Sequence, residues 1–120
     1  MKQFEIINAY KTLEILADNE HLSKKDQWLL YKVRKLLRPH AEFQEEQENN
    51  IREKYIEFAD ERGNLPQDKS KEFIKDMQEL NMLDKDIDEF EKIRIPIVDG
   101  INFKLMEPLE KFIEFTEPVE

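Results

Sequence analysis

From Ser23 to Arg62 the chain runs without a glycine and with a single proline, Pro39. A stretch of that length without turn formers has few folded forms open to it. It is one long helix, or two helices that abut at the proline. Ser23 suits the N-cap, and Asp26 three residues on places a carboxylate in the first turn. Leu30, Leu37, Gln44, Ile51 and Phe58 recur every seven residues, as a coiled-coil seam requires. Val33, His40 and Gln47 accompany the first part of that seam, and Ala41, Glu48 and Tyr55 the second. The stripe is apolar at both ends and polar in the middle, across Gln44 to Asn50. Such a gap is solvated, or it faces a polar partner. Because apolar spacing continues on both sides of Pro39, a kink is expected there, with a break into two helices as the alternative.

The flanking elements are short. Ile6, Ile7, Tyr10, Leu13, Leu16 and Ala17 fall on one face of a helix over Gln3 to Asp18. Gly63 and Arg62 suit the C-terminus of the long helix, and Pro66 lies past it. A third helix is expected from Gln67 to Leu83, with Phe73, Met77 and Leu80 facing Ile51, Tyr55 and Phe58 in an antiparallel pair. Asp84 to Lys92 is acidic and reads as a connection with some strand character. Ile93-Arg-Ile-Pro-Ile97 and Ile101-Asn-Phe-Lys-Leu105 alternate around Asp99-Gly100 and read as a β-hairpin. A three-residue loop, Val98 to Gly100, keeps Ile93, Ile95, Ile97, Ile101, Phe103 and Leu105 on one face. Pro96 then needs an edge strand or an unpaired site. Pro108 opens a short closing helix with Leu109, Phe112 and Ile113 on its apolar side, and residues 116–120 form a tail. The expected fold is mainly α, or α+β. It is a single domain built on a long antiparallel helical hairpin of three to four helices, with a C-terminal β-hairpin and short closing helix. Its helical part covers 1–83, its acidic connection 84–92, and its hairpin and closing helix 93–115.

Composition narrows the function classes. Charged residues make up 39% of the chain and hydrophobic ones another 39%, a low apolar share that suits long, solvated helices with a narrow seam. The absence of cysteine excludes disulfides and thiol chemistry. No run approaches a membrane span, and an amphipathic N-terminus with interspersed acids is no signal peptide, so the expected location is cytoplasmic. The net charge of −9 is unevenly spread. Residues 1–41 carry eight Lys/Arg against five Asp/Glu, whereas 42–62 carry three against eight. A molecule polarised in this way can self-associate head to tail.

No constellation of catalytic or cofactor-binding residues is evident. Asp18-x-x-His21 is half of a helical metal motif without its other half. Asp86, Asp88 and Glu91 lack the glycine and closing glutamate of a calcium loop. Ser23 and Ser70 sit in no glycine-flanked elbow, and neither Gly63 nor Gly100 belongs to a phosphate loop. The basic run Lys24, Lys25, Lys32, Arg34, Lys35 and Arg38, interleaved with Trp28 and Tyr31, is read as the solvated face of an amphipathic helix, because the net charge opposes nucleic-acid binding. The acidic run of Glu42, Glu45, Glu46 and Glu48 is a solvated face, or an imitation of a phosphate backbone.

Three stretches carry a resemblance: Tyr31-Lys-Val-Arg-Lys-Leu-Leu-Arg-Pro39, Ile93-Arg-Ile-Pro-Ile97 and Glu107-Pro-Leu-Glu-Lys-Phe-Ile-Glu114. In this order they resemble a family of small phage proteins with no assigned activity. That family has a basic helix before a mid-helix proline, an acidic second half, an isoleucine-proline strand and a closing Phe-Ile-Glu tail. Here Pro108 stands four residues before Phe112 instead of adjacent to it. The resemblance implies a phage origin and no particular reaction. The hairpin also looks like prefoldin, but prefoldin's strands lie between its helices and these follow them.

The resulting expectation is a non-enzymatic accessory protein acting by protein–protein interaction and self-association, as a dimer or higher oligomer. It would use no cofactor or metal, and would make no direct contact with nucleic acid or membrane. The candidate interaction residues are Gln44, Glu45, Glu46 and Glu48 in the polar gap, and Ile93, Ile95, Ile97 and Phe103 on the hairpin. The alternative is an acidic inhibitor or nucleic-acid mimic acting on a host-defence or nucleic-acid-binding protein.

Overall fold

The computed structural model describes residues 1–117. Its spine is helix α2, Lys24–Tyr55, which continues for one 3-10 turn over Ile56–Phe58. The Ser23 hydroxyl caps it by accepting the Asp26 N–H at 3.1 Å. The helix passes through Pro39 without a break. It ends earlier than the expected Arg62. Ala59 is extended, and the Asp60 carboxylate accepts the N–H groups of Arg62 and Asn64 at 2.9 Å each. A side chain that satisfies backbone donors in this way competes with the helix ladder and ends it. Gly63 adopts a positive φ of 81° inside that loop instead of capping the helix.

Two shorter helices run antiparallel to α2, one after the other along its length. Helix α1, Gln3–Ala17, lies on the first half, with Gln3 opposite His40 and Glu14 opposite Arg34. Helix α3, Gln67–Asn81, lies on the second half, with Asp76 opposite Tyr55 and Asn81 opposite Gln44. The helices α1 and α3 meet end to end. The Gln3 N–H donates to the Leu83 carbonyl at 2.8 Å, the Lys85 N–H to the Met1 carbonyl at 2.8 Å, and Lys2 pairs with Asp84 at 2.8 Å. The fold is therefore mainly α, built on a long helical hairpin, with a small two-stranded sheet near the C-terminus.

The partner in that sheet is not the expected one. Strand β1, Ile93–Pro96, pairs in parallel with β2, Ile113–Thr116, and Arg94 meets Glu114 across the ladder at 3.4 Å. The stretch 101–105 is not a strand. A turn does form, with the Ile101 N–H donating to the Val98 carbonyl and Gly100 at φ 92°. After it, however, the Asn102 side chain accepts the Leu105 N–H and starts helix α4, Phe103–Met106. A 3-10 turn, Glu107–Leu109, containing Pro108, follows. Helix formation therefore begins at Asn102 and not at Pro108. The crossover it builds returns the chain beside β1 in the same direction, as parallel pairing requires. The Ile93 and Ile97 N–H groups donate toward β2, so Pro96 has its missing donor on the outer edge, as its chemistry demands. Thr116, expected in the tail, belongs to β2, and residues 118–120 of that expected tail lie outside the described residues.

The main core sits at one end of the molecule. Ile6, Leu13 and Leu16 of α1 meet Leu30, Val33 and Leu37 of α2 and the buried Ile95, Leu109, Phe112 and Ile113. The connection 84–92 contributes Ile87 and Phe90 to its margin and forms no strand beyond the isolated Lys2–Asp84 bridge. The far halves of α2 and α3 leave this body as a two-helix arm. There Tyr55 is buried, edge-on to Phe73 at 5.7 Å, and Leu80 is buried near the arm's base.

Candidate interaction surface

The polar gap in the seam proves to be a joint. Gln44 is only 7% exposed, and its amide donates to Glu48 at 2.9 Å and Asn81 at 3.0 Å. Gln3, fully buried, donates to the His40 carbonyl at 2.9 Å. Both glutamines lie where α1 gives way to α3 on the side of α2. Each amide nitrogen is paired while each side-chain oxygen is buried without a partner, and one specific polar pairing per register fixes how the three helices align. Glu48 also reaches Arg52 at 3.4 Å, so it is committed inside the chain. His40, beside this joint, is held below its ordinary pKa, first by burial and then by the Lys85 ammonium.

Of the other expected interaction residues, Glu45 and Glu46 are exposed on α2. Ile95 is wholly buried in the core, and Ile93 and Ile97 pack on its margin, so these three hold the body together and present no free apolar edge. Phe103 is 71% exposed at the start of α4, apart from them. The structure thus divides seven of the eight into residues of the joint, residues of the outer face and residues of the core, and leaves Phe103 apart from all three. Glu45 and Glu48 do share a shallow cleft with Tyr10 and Glu14. At about 240 Å³ it lies below the usual size of a small-molecule pocket.

The surface that sequence reasoning set aside is the outer face of α2. With α1, α3 and β1 packed on its other sides, this face is left uncovered. Lys24, Trp28, Tyr31 and Lys35 are exposed along its first half, and Glu42, Glu45, Glu46 and Glu53 along its second. Trp28 and Tyr31, 58% and 42% exposed, stack on each other at 5.7 Å. Ile56, at the far end, is 72% exposed. Among the described residues, none of Lys24, Lys25, Lys32, Lys35, Arg38, Glu42, Glu45, Glu46 and Glu53 makes an ion pair. This holds even though Arg38 and Glu42 stand one helical turn apart. Like charges one turn apart, such as Glu42 with Glu46, weaken the isolated helix. A face that keeps its cations at one end and its anions at the other therefore gains nothing within one chain. The cue was present in the sequence as the charge reversal at Pro39 on a common helical face.

The arm carries a charge cluster of a different kind. Tyr55 donates to Asp76 at 2.6 Å and Lys54 reaches the same carboxylate at 3.0 Å. The Tyr55 hydrogen bond, then Lys54, holds the Asp76 carboxyl below the usual carboxylate range. This cluster ties the arm together and leaves no free acid or base. Among the described residues, no group of three or more His, Asp or Glu side chains converges to hold a metal ion, and no helix is long and apolar enough to cross a membrane. Compared with known protein families, curated proteins and solved structures, the chain matches none.

Proposed function

We propose that this chain is a non-enzymatic accessory protein, of the phage type it resembles, that works by protein–protein interaction and self-association. The observation that carries the reading is the uncovered, charge-divided face of α2, with Trp28, Tyr31 and Ile56 exposed along it. Exposed Trp and Tyr side chains are frequent anchors of protein interfaces. The arm adds a further contact surface, since Ile74 is 51% and Phe58 39% exposed there. Light scattering on the purified protein at micromolar concentration tests the self-association. The expected result is a mass above that of one chain, and a strictly monomeric mass removes it.

A second reading is favoured by the acidic half of the same helix. Glu42, Glu46 and Glu53 are exposed on one side of it and imitate a short run of phosphates. In that reading the protein is an acidic inhibitor of a host-defence or nucleic-acid-binding protein. Reversal of the exposed Glu45 and Glu46 to Lys, which leaves Glu48 in the joint, then abolishes capture of that partner, and unchanged capture rules the reading out.

A further inference from the structure

Along the outer face of α2, one set of residues recurs with strict heptad spacing: Trp28, Lys35, Glu42, Asn49 and Ile56, alternating with Lys24, Tyr31, Arg38, Glu45 and Arg52. All of these are exposed except Arg38, which is half-buried. This is a second seam, distinct from the inner one that binds α1 and α3. Such spacing keeps one stripe facing a partner helix over several turns.

We infer that the occupant of this seam is a second copy of the same chain, laid antiparallel along α2 about a two-fold axis near His40. The inference rests on the proposed self-association and specifies its interface. Charge decides the arrangement. With the axis at His40, Arg38 meets Glu42 of the second copy and Lys35 meets its Glu45. Tyr31 meets Asn49, and Trp28 meets Arg52, a cation over an aromatic face. Lys24 lays its stem on Ile56. Two-fold symmetry repeats every one of these contacts. The flanking positions follow the same rule, with Lys32 opposite Glu46 and Lys25 opposite Glu53. The exposed Pro39 meets its own symmetry mate at the centre.

Other arrangements fail on the same charges. A parallel pair sets Lys35 on Lys35 and Glu42 on Glu42. Sliding the antiparallel pair by one heptad sets Lys35 on Arg52 and Glu42 on Glu45 in one direction, and Lys35 on Arg38 in the other. Opposed like charges exclude the wrong partner geometry more strongly than matched ones stabilise the right one. Of the nine charges left without an ion pair in the single chain, eight thereby find an opposite charge, and the ninth, Lys24, covers Ile56.

The interface is small. Helix α2 has 32 residues, so the seam is about 48 Å long at ~1.5 Å per residue. At roughly 10 Å wide it covers about 500 Å² per copy, below the ~800 Å² of a standard interface. The dimer is accordingly weak and reversible, and it weakens with added salt.

Sedimentation of the full chain at low and high ionic strength, from about 1 to 200 μM, brackets the range expected for an interface of this size. The expected result is a concentration-dependent doubling of mass that salt suppresses. The double variant Lys35→Glu with Arg38→Glu shifts the midpoint of association at least tenfold upward, as does Glu42→Lys with Glu45→Lys. An equimolar mixture of the two variants restores a dimer, because their seams are then complementary. Because the chain has no cysteine, introduced thiols report geometry directly. Pro39→Cys cross-links to itself. Lys24→Cys does not, but cross-links when mixed with Ile56→Cys. The pair Arg38→Cys and Glu42→Cys gives a second reading should the change at Pro39 disturb the helix. A monomer at every concentration overturns this interface and the self-association together. A dimer that ignores both charge reversals and fails to cross-link at these positions overturns the interface alone.

Discussion

His40 and Asp76 each tie the stability of the protein to acid, in different pH ranges. The His40 ring is partly buried beside Lys85, which lowers its pKa below that of the unfolded chain. A group lowered in this way contributes fully above its unfolded pKa of about 6.5, and that contribution is lost as pH falls through the folded value. Urea unfolding at several pH values is expected to show stability declining as pH falls below the ordinary imidazole value of about 6.5, and His40→Gln is expected to flatten that slope. Asp76 is also lowered, by Tyr55 and Lys54, so its contribution is present above the ordinary carboxylate range and disappears only in stronger acid. Asp84, lowered by its pairing with Lys2, adds to the same decline, so a neutral Asn at position 76 reduces the second decline and leaves the first. In the core, Ile95 is the fully buried strand residue joined to helices α1 and α2 in one cluster. Ile95→Ala opens a cavity there and is expected to cost about 2–5 kcal/mol in chemical denaturation.

At the scale of elements, Pro39 interrupts the α2 ladder without breaking it. Its missing N–H leaves the Lys35 carbonyl without the usual donor, and the ring faces solvent, where no packing depends on it. Pro39→Ala restores the hydrogen bond and is expected to raise the stability of the monomer by about 1–3 kcal/mol, read as a higher urea midpoint. The long helix, α1 and α3 were legible because each is specified by residues within a few positions of one another: the Ser23 cap, the stripe of Ile6, Leu13 and Leu16, and the Gly63 turn. The β1 strand was legible for the same reason. Its partner was not, because parallel pairing joins Ile93 to Ile113 across an intervening crossover that no local alternation encodes. The misleading stretch was Ile101 to Leu105. Its alternation is compatible with a strand, but Asn102 is also a helix N-cap, and the cap prevailed because it satisfies the Leu105 N–H on the spot. Of the candidate interaction residues, Gln44 and Glu48 were recognisable as a break in the seam. That this break marks a joint between two helices depends on Asn81 and Gln3, both distant in sequence.

The whole molecule measures 59 × 30 × 20 Å, an elongated shape with its main core at one end. The arm is thinner in every energetic sense. It has two helices instead of a body of three helices and a sheet, and its buried side chains are chiefly Tyr55 and Leu80. Free energy of local opening tracks buried apolar contact, so protection is expected to be uneven. Native-state hydrogen exchange should show amides of α3 and of α2 beyond Ile51 exchanging faster than those of α1 and of α2 around Val33. Equal protection along α2 would show that the arm and body open as one unit. The Tyr55–Asp76 hydrogen bond is the arm's main specific tie, and Tyr55→Phe is expected to speed exchange in α3 while leaving α1 unchanged.

The end-to-end join of α1 and α3 has a consequence for how the chain is made. Synthesis releases α1 and α2 first, but the carbonyl that receives the Gln3 N–H belongs to Leu83. The residue that closes the core over Leu13 and Val33 is Ile95, later still. At about 5–20 residues per second, the apolar faces of a complete α1–α2 pair wait roughly 2–8 s for the strand that covers them. During that interval the sides of Leu16, Leu30 and Leu37 that the C-terminal third later buries stay open to water.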